Sequence, residues 1–112
     1  MDIQNYFMDC DIEWRDCDPG IQRKILAHNE ELMVCRLHFK KGAVGTLHKH
    51  IHSQCTYIIS GKFEFDIDGK KQILTAGDST YKEPNVLHGA VCLEEGELID
   101  IFTPERKDFL KK

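Results

Sequence analysis

The run Phe63-Glu64-Phe65-Asp66-Ile67-Asp68 alternates apolar and acidic residues without a break. Side chains of an extended strand point alternately to opposite faces, so Phe63, Phe65 and Ile67 can enter a core while Glu64, Asp66 and Asp68 meet water. A helix would scatter both sets around its circumference. Asp68-Gly69 suits a tight hairpin turn and leads into a second strand over Lys71 to Leu74. Comparable short segments recur at Ile21 to His28, Leu32 to Phe39, Val86 to Leu93 and Leu98 to Phe102. Asn29-Glu30-Glu31 forms a polar corner, and Asp18-Pro19-Gly20 and Ala76-Gly77-Asp78 read as turns. Trp14, the only tryptophan, lies in a leading segment from Asp11 to Arg15. Only Pro104 to Leu110 allows a turn of helix. Short strands at even intervals predict an all-β sandwich or barrel. At 112 residues the chain is read as a single domain, 1–112, burying roughly two thirds of its unfolded surface.

The acids of the alternating run could pass for a calcium site, but a solvated strand face explains them and no EF-hand spacing is present. A net charge of −4 with lysines and acids interspersed argues against a nucleic-acid partner, since there is no basic excess to displace counterions. No apolar run is long enough to span a bilayer as a helix, so no membrane partner is expected. The opening MDIQNYFMDCD lacks the charged start and apolar core of an export signal. The five cysteines are odd in number and form no CxxC, which suits reduced thiols and a cytoplasmic location. Cys55 adjoins Gln54 and Cys92 alternates with His88, so either could sit near a site there, with small buried filler the simpler role. His28 and His38 read as a loop-edge residue and a plain polar strand position.

The stretch Gly42 to Gly61, GAVGTLHKHIHSQCTYIISG, carries His48, His50 and His52 at alternate positions, followed by Gln54. Read as one strand running on through Thr56 to Ile59, it turns His48 and His50 to the same face. Gln54 joins them through its amide oxygen if the chain bends or bulges between, and His88 is a suitable further donor. Converging imidazoles suit one divalent transition metal, Ni, Zn, Fe or Mn. A polar strand facing water is the alternative.

The spacing Gly42, five residues, His48-x-His50, three residues, Gln54, six residues, Gly61 resembles the first motif of the cupin superfamily, with Gln where most cupins carry Glu. Gly77-Asp78-Ser79-Thr80-Tyr81-Lys82-Glu83-Pro84-Asn85-Val86-Leu87-His88 resembles the second. There His88 falls on the metal ligand, while Glu83, Asn85 and Cys92 replace Pro, Gly and Asn. The resemblance implies a single-domain cupin, a double-stranded β-helix or jelly-roll barrel, with a metal on His48, His50, Gln54 and His88. It says little about the reaction, because the fold hosts many.

On the last strand Leu98, Asp100 and Phe102 share one face. Burying a carboxylate without a partner is costly, so this face meets water or Asp100 points into a polar cavity. Arg106, just past Pro104, can fold over the mouth of a barrel and hold a carboxylate with a two-pronged hydrogen bond. A surface Asp–Arg pair is the alternative. The whole chain, most clearly from Gly42 to Leu110, is similar to the small cupins of pectin and alginate breakdown, which convert 4,5-unsaturated monouronates into linear keto forms. That resemblance implies a small-molecule uronate substrate, a pocket lined by Asp100, Phe102 and Arg106, and a homodimer formed through sheet edges.

Three imidazoles and an amide leave the charge of a divalent metal uncompensated. This favours Lewis-acid work on an anion and disfavours the higher oxidation states of oxygen activation. The remaining readings are a small-molecule cupin dioxygenase and a non-catalytic sugar- or ligand-binding cupin.

Overall fold

A computed structural model describes residues 3–110. In chain order the strands are β1 (Arg15–Asp16), β2 (Ile21–His28), β3 (Met33–Phe39), β4 (Val44–His48) and β5 (Ser53–Ile58). They continue as β6 (Lys62–Ile67), β7 (Lys70–Thr75), β8 (Ser79–Lys82), β9 (His88–Glu94) and β10 (Gly96–Thr103), followed by the single helical turn α1 (Lys107–Leu110). One antiparallel sheet has the order β1-β2-β3-β10-β5-β8 and the other β4-β9-β6-β7.

The alternation read from the sequence builds the core between these sheets. On β3, Met33, Cys35, Leu37 and Phe39 are buried, while Val34, Arg36 and His38 are only partly covered. Phe63 and Phe65 face them from β6, and the Phe39 and Phe63 rings meet edge to face at 5.2 Å. Such a pair adds about 1 kcal/mol beyond the area it buries. The expected turn forms with Asp68 at φ 54° and Gly69 at φ 80°, the left-handed conformations that a two-residue hairpin demands. Gly61 is required for a second reason. At φ +82° its absent Cβ would lie 2.6 Å from the Glu94 carbonyl, where the β5–β6 turn presses on the β9–β10 turn.

Trp14 fastens the leading segment to the outside of the larger sheet. Lys24 and Arg36 each stand 5.0 Å from its ring and both reach Asp9, at 3.0 and 2.8 Å. His38 pairs with Glu95 at 2.9 Å, a polar strand position as expected.

The main correction concerns the stretch read as one strand. β4 ends at His48, residues 49–52 cross the end of the sandwich, and β5 resumes in the opposite sheet. His-Lys-His-Ile-His alternates equally well in a strand and in this crossing, so local pattern does not mark the break. The turn of helix expected near Pro104 to Leu110 forms over Lys107–Leu110. β8 escaped the pattern because Thr80 and Lys82, its inward residues, are polar.

Candidate metal centre and pocket

His48 and His88 come together because β4 carries a bulge. Gly45 pairs with Ala90 and His48 with His88, so three steps along β4 match two along β9. The extra residue reverses the facing of the residues after it and turns His48 toward His88. Backbones approach closely here, since a Cβ on Gly89 would lie 2.7 Å from the Gly45 carbonyl. His50 arrives from the crossing segment, where its carbonyl accepts the Asn85 N–H at 2.7 Å. Asn85 stands at φ 66°. That left-handed conformation explains why the motif favours Gly and why Asn, which tolerates it, serves here.

Ring nitrogens of His48, His50 and His88 all lie within 4.8 Å of one another. Each Nδ1 faces a backbone carbonyl: Thr46 at 2.8 Å, His52 at 3.1 Å and Val86 at 2.9 Å. A carbonyl only accepts, so each Nδ1 carries the proton and each Nε2 presents a lone pair. Nε2 of His88 is buried with no hydrogen-bond partner. Nε2 of His50 lies 3.0 Å from Oε1 of Gln54, so two acceptors oppose each other. A bound cation relieves both conditions. Burial pushes the His88 imidazole down to about 4, and it also lowers that of His50, with Arg106 adding to the effect. Neutral imidazoles are the form that binds metal. The four residues therefore fit a divalent metal. His52 lies outside this cluster; its Nε2 donates to the Glu105 carbonyl at 3.1 Å and its buried Nδ1 has no partner among the described residues.

The cluster opens on a cavity of about 280 Å³ lined also by Leu98, Asp100, Phe102 and Arg106. The face of β10 that carries Asp100 therefore points inward. Its register against β5 sets Phe102 beside Gln54 and Asp100 beside Thr56, whose hydroxyl donates to Asp100 Oδ1. Phe102 is 2% exposed and packs edge-on against His50 at 5.9 Å and Phe109 at 5.6 Å. The Arg106 guanidinium lies over Phe109 at 4.2 Å and Phe102 at 5.2 Å. The fork expected to hold a substrate is partly engaged, since Nε and Nη2 donate to Asp108 at 3.1 and 2.9 Å. Burial alone would raise the Asp108 carboxyl, but the hydrogen bond and charge of Arg106 outweigh it and lower it. Three of the five guanidinium hydrogens remain uncommitted to Asp108.

Sequence reading missed Thr56, Lys82, Asp108 and Phe109. Lys82 enters from β8 and is 1% exposed, with burial lowering its pKa and the charge of Asp100 opposing that shift. Its alternation with Thr80 was the available signal. Of the two cysteines considered for the site, Cys55 points outward and Cys92 is buried filler.

The cupin-domain family matches residues 35–102. The chain is a cupin. It is 47% identical over 110 residues to the pectin degradation protein KdgF of Dickeya dadantii (strain 3937), covering 96% of this chain and all of that one. The structure of KdgF from Halomonas sp. superposes with a TM-score of 0.91 at 41% identity, covering 96% of this cupin and 99% of that chain. An RmlC-like cupin from Shewanella frigidimarina gives 0.92 at 43% identity, covering 96% of each chain.

Proposed function

We propose that this cupin opens 4,5-unsaturated monouronates, such as unsaturated galacturonate, to linear 5-keto-4-deoxyuronates in the breakdown of uronate polysaccharides. The carrying observation is one cavity that joins a metal-competent imidazole cluster to a carboxylate, Asp100, and a guanidinium, Arg106. Full-length similarity to a pectin degradation protein supports the same reading.

The substrate is a cyclic hemiacetal whose ring oxygen is also an enol-ether oxygen. Opening needs a proton removed from the anomeric hydroxyl and one delivered to C4. His48, His50, Gln54 and His88 hold the metal, which supplies Lewis acidity toward the substrate's oxygens when bound. Asp100 moves a proton as general base or acid. Arg106, braced by Asp108, offers its remaining donors to the substrate carboxylate. Phe102 forms the apolar wall against the sugar ring. Ni, Zn, Fe and Mn all suit the donors, and the neutral ligand set favours this redox-neutral chemistry.

The protein is further proposed to act as a cytoplasmic homodimer. Five unpaired thiols support the location. Tyr57, Tyr81 and Ile101, all exposed on the outer face of β5, β8 and β10, support the pairing.

Incubating metal-loaded protein with unsaturated galacturonate and following enol-ether absorbance tests the function. Loss of absorbance without oxygen uptake is expected. Oxygen consumption would favour a dioxygenase, and binding without turnover a ligand-binding cupin.

A further inference from the structure

Lys82 is 1% exposed, and its ammonium has no carboxylate within ion-pair distance among the described residues. Nζ instead donates to Thr56 Oγ1 and Thr80 Oγ1, each at 2.7 Å. An ammonium buried against two hydroxyls, with the Phe65 ring 5.2 Å away and no paired carboxylate, is expensive to keep, and an apolar residue would pack there more cheaply.

The donor inventory shows what Lys82 imposes. An ammonium only donates, whereas a hydroxyl has one proton and two lone pairs. Thr56 Oγ1 accepts from Lys82 Nζ and also faces Gln54 Nε2 at 3.5 Å. The Lys82 ammonium takes one lone pair, the Gln54 amide lies toward the other, and the Asp100 carboxylate only accepts, so the single Thr56 proton goes to Asp100 Oδ1. The series runs one way, from Lys82 through Thr56 to Asp100. It ends on a carboxylate oxygen that must accept, while Oδ2 has no partner among the described residues. The same hydroxyl draws the Gln54 NH₂ toward itself and leaves Oε1 toward His50. One threonine thus orients both the amide at the imidazole cluster and the carboxylate beside it.

We propose that Lys82 and Thr56 are positioning residues: Lys82 commits the Thr56 hydroxyl to donate to Asp100, which pins Oδ1 and leaves Oδ2 to exchange the substrate's proton. The consequence for catalysis rests on the uronate-opening reading, but the orientation of Asp100 stands separately. Both residues act by orienting Asp100, and Thr56 also faces Gln54, so loss should fall mainly on kcat, with bound metal reporting any effect through Gln54.

The experiment compares Lys82→Met, Thr56→Val, Thr56→Ser, Asp100→Asn and the double variant Lys82→Met/Asp100→Asn. It reads kcat and KM on unsaturated galacturonate, bound metal and the unfolding midpoint. Lys82→Met and Thr56→Val should each lower kcat about 10- to 100-fold, the usual effect of removing a supporting group, with KM within about threefold. Thr56→Ser should recover most of what Thr56→Val loses. In the Asp100→Asn background, Lys82→Met should cost little more, because the group it orients is gone. An equal loss in both backgrounds, or a rise in KM at constant kcat, would overturn the proposal. Crystal structures of the parent and Thr56→Val supply a readout independent of turnover. Asp100 should leave its parental rotamer, and an unmoved carboxylate overturns the orienting role. If the parent fails to turn over the substrate, the uronate reading falls, while the rotamer comparison still decides what Thr56 does.

Discussion

Replacing Gln54 by Glu changes the cluster by one charge and almost no volume, at a position 7% exposed. At an effective dielectric of about 20, a carboxylate contributes about 4 kcal/mol for each unit of positive charge about 4 Å away. In metal-free protein the nearest ring nitrogen, His50 Nε2 at 3.0 Å, is a neutral acceptor and offers nothing in return. Desolvating the new carboxylate then dominates, and the metal-free variant should lose on the order of 1–3 kcal/mol at neutral pH. With a divalent ion bound the sign reverses, so the variant should hold metal more tightly. The anionic substrate meets the same added charge as repulsion. About 8 Å away that repulsion is about 2 kcal/mol, or roughly 30-fold in kcat/KM. Thermal unfolding with and without metal measures the first effect, chelator competition the second, and enol-ether absorbance the third. Tighter metal with unchanged kcat/KM would refute the argument that a neutral ligand set is what suits the site to an anion.

Three further outcomes are expected. Asp100→Asn should hold substrate nearly as well as the parent but turn it over about 10²–10⁴-fold more slowly, whereas Arg106→Lys should mainly raise KM because a point charge replaces a planar fork; steady-state kinetics with metal analysis separates the two, and metal loss in Asp100→Asn would instead make that residue a support of the cluster. Burial pushes the Cys35 thiol up to about 12 from 9.0, so the folded state favours the neutral thiol. Its contribution, about 4 kcal/mol at most, is complete below about pH 9 and is lost as pH rises toward 12, and a thiol reagent at pH 8 should modify Cys10 and Cys55 well before Cys35 and Cys92. Gly61→Ala forces a side chain into a left-handed backbone against the Glu94 carbonyl and should lower stability by at least about 1–2 kcal/mol in denaturant unfolding.

Much of the architecture was legible because strand periodicity is local. Phe63 and Phe65 declare their face within one short run, and Asp68-Gly69 declares its turn through backbone conformations that few residues adopt. The spacing of His48, His50, Gln54 and His88 likewise pointed to one centre, which the fold assembles. The route to that centre was not legible. A one-residue bulge opposite His88 and a crossing between sheets turn the rings together, and both depend on pairing partners more than forty residues apart in places. Nor did local pattern identify Lys82, whose burial follows from β8 joining the edge of β5. The braced state of Arg106 arises in the same way, from a helical turn that brings Asp108 and Phe109 around it. Sequence by itself determined most of the strands, the alternating core and the identity of the donor groups, because these are set by neighbours along the chain. Tertiary structure alone decided which lone pairs face one another and which hydroxyl proton points at Asp100, because hydrogen-bond direction depends on every partner around an atom.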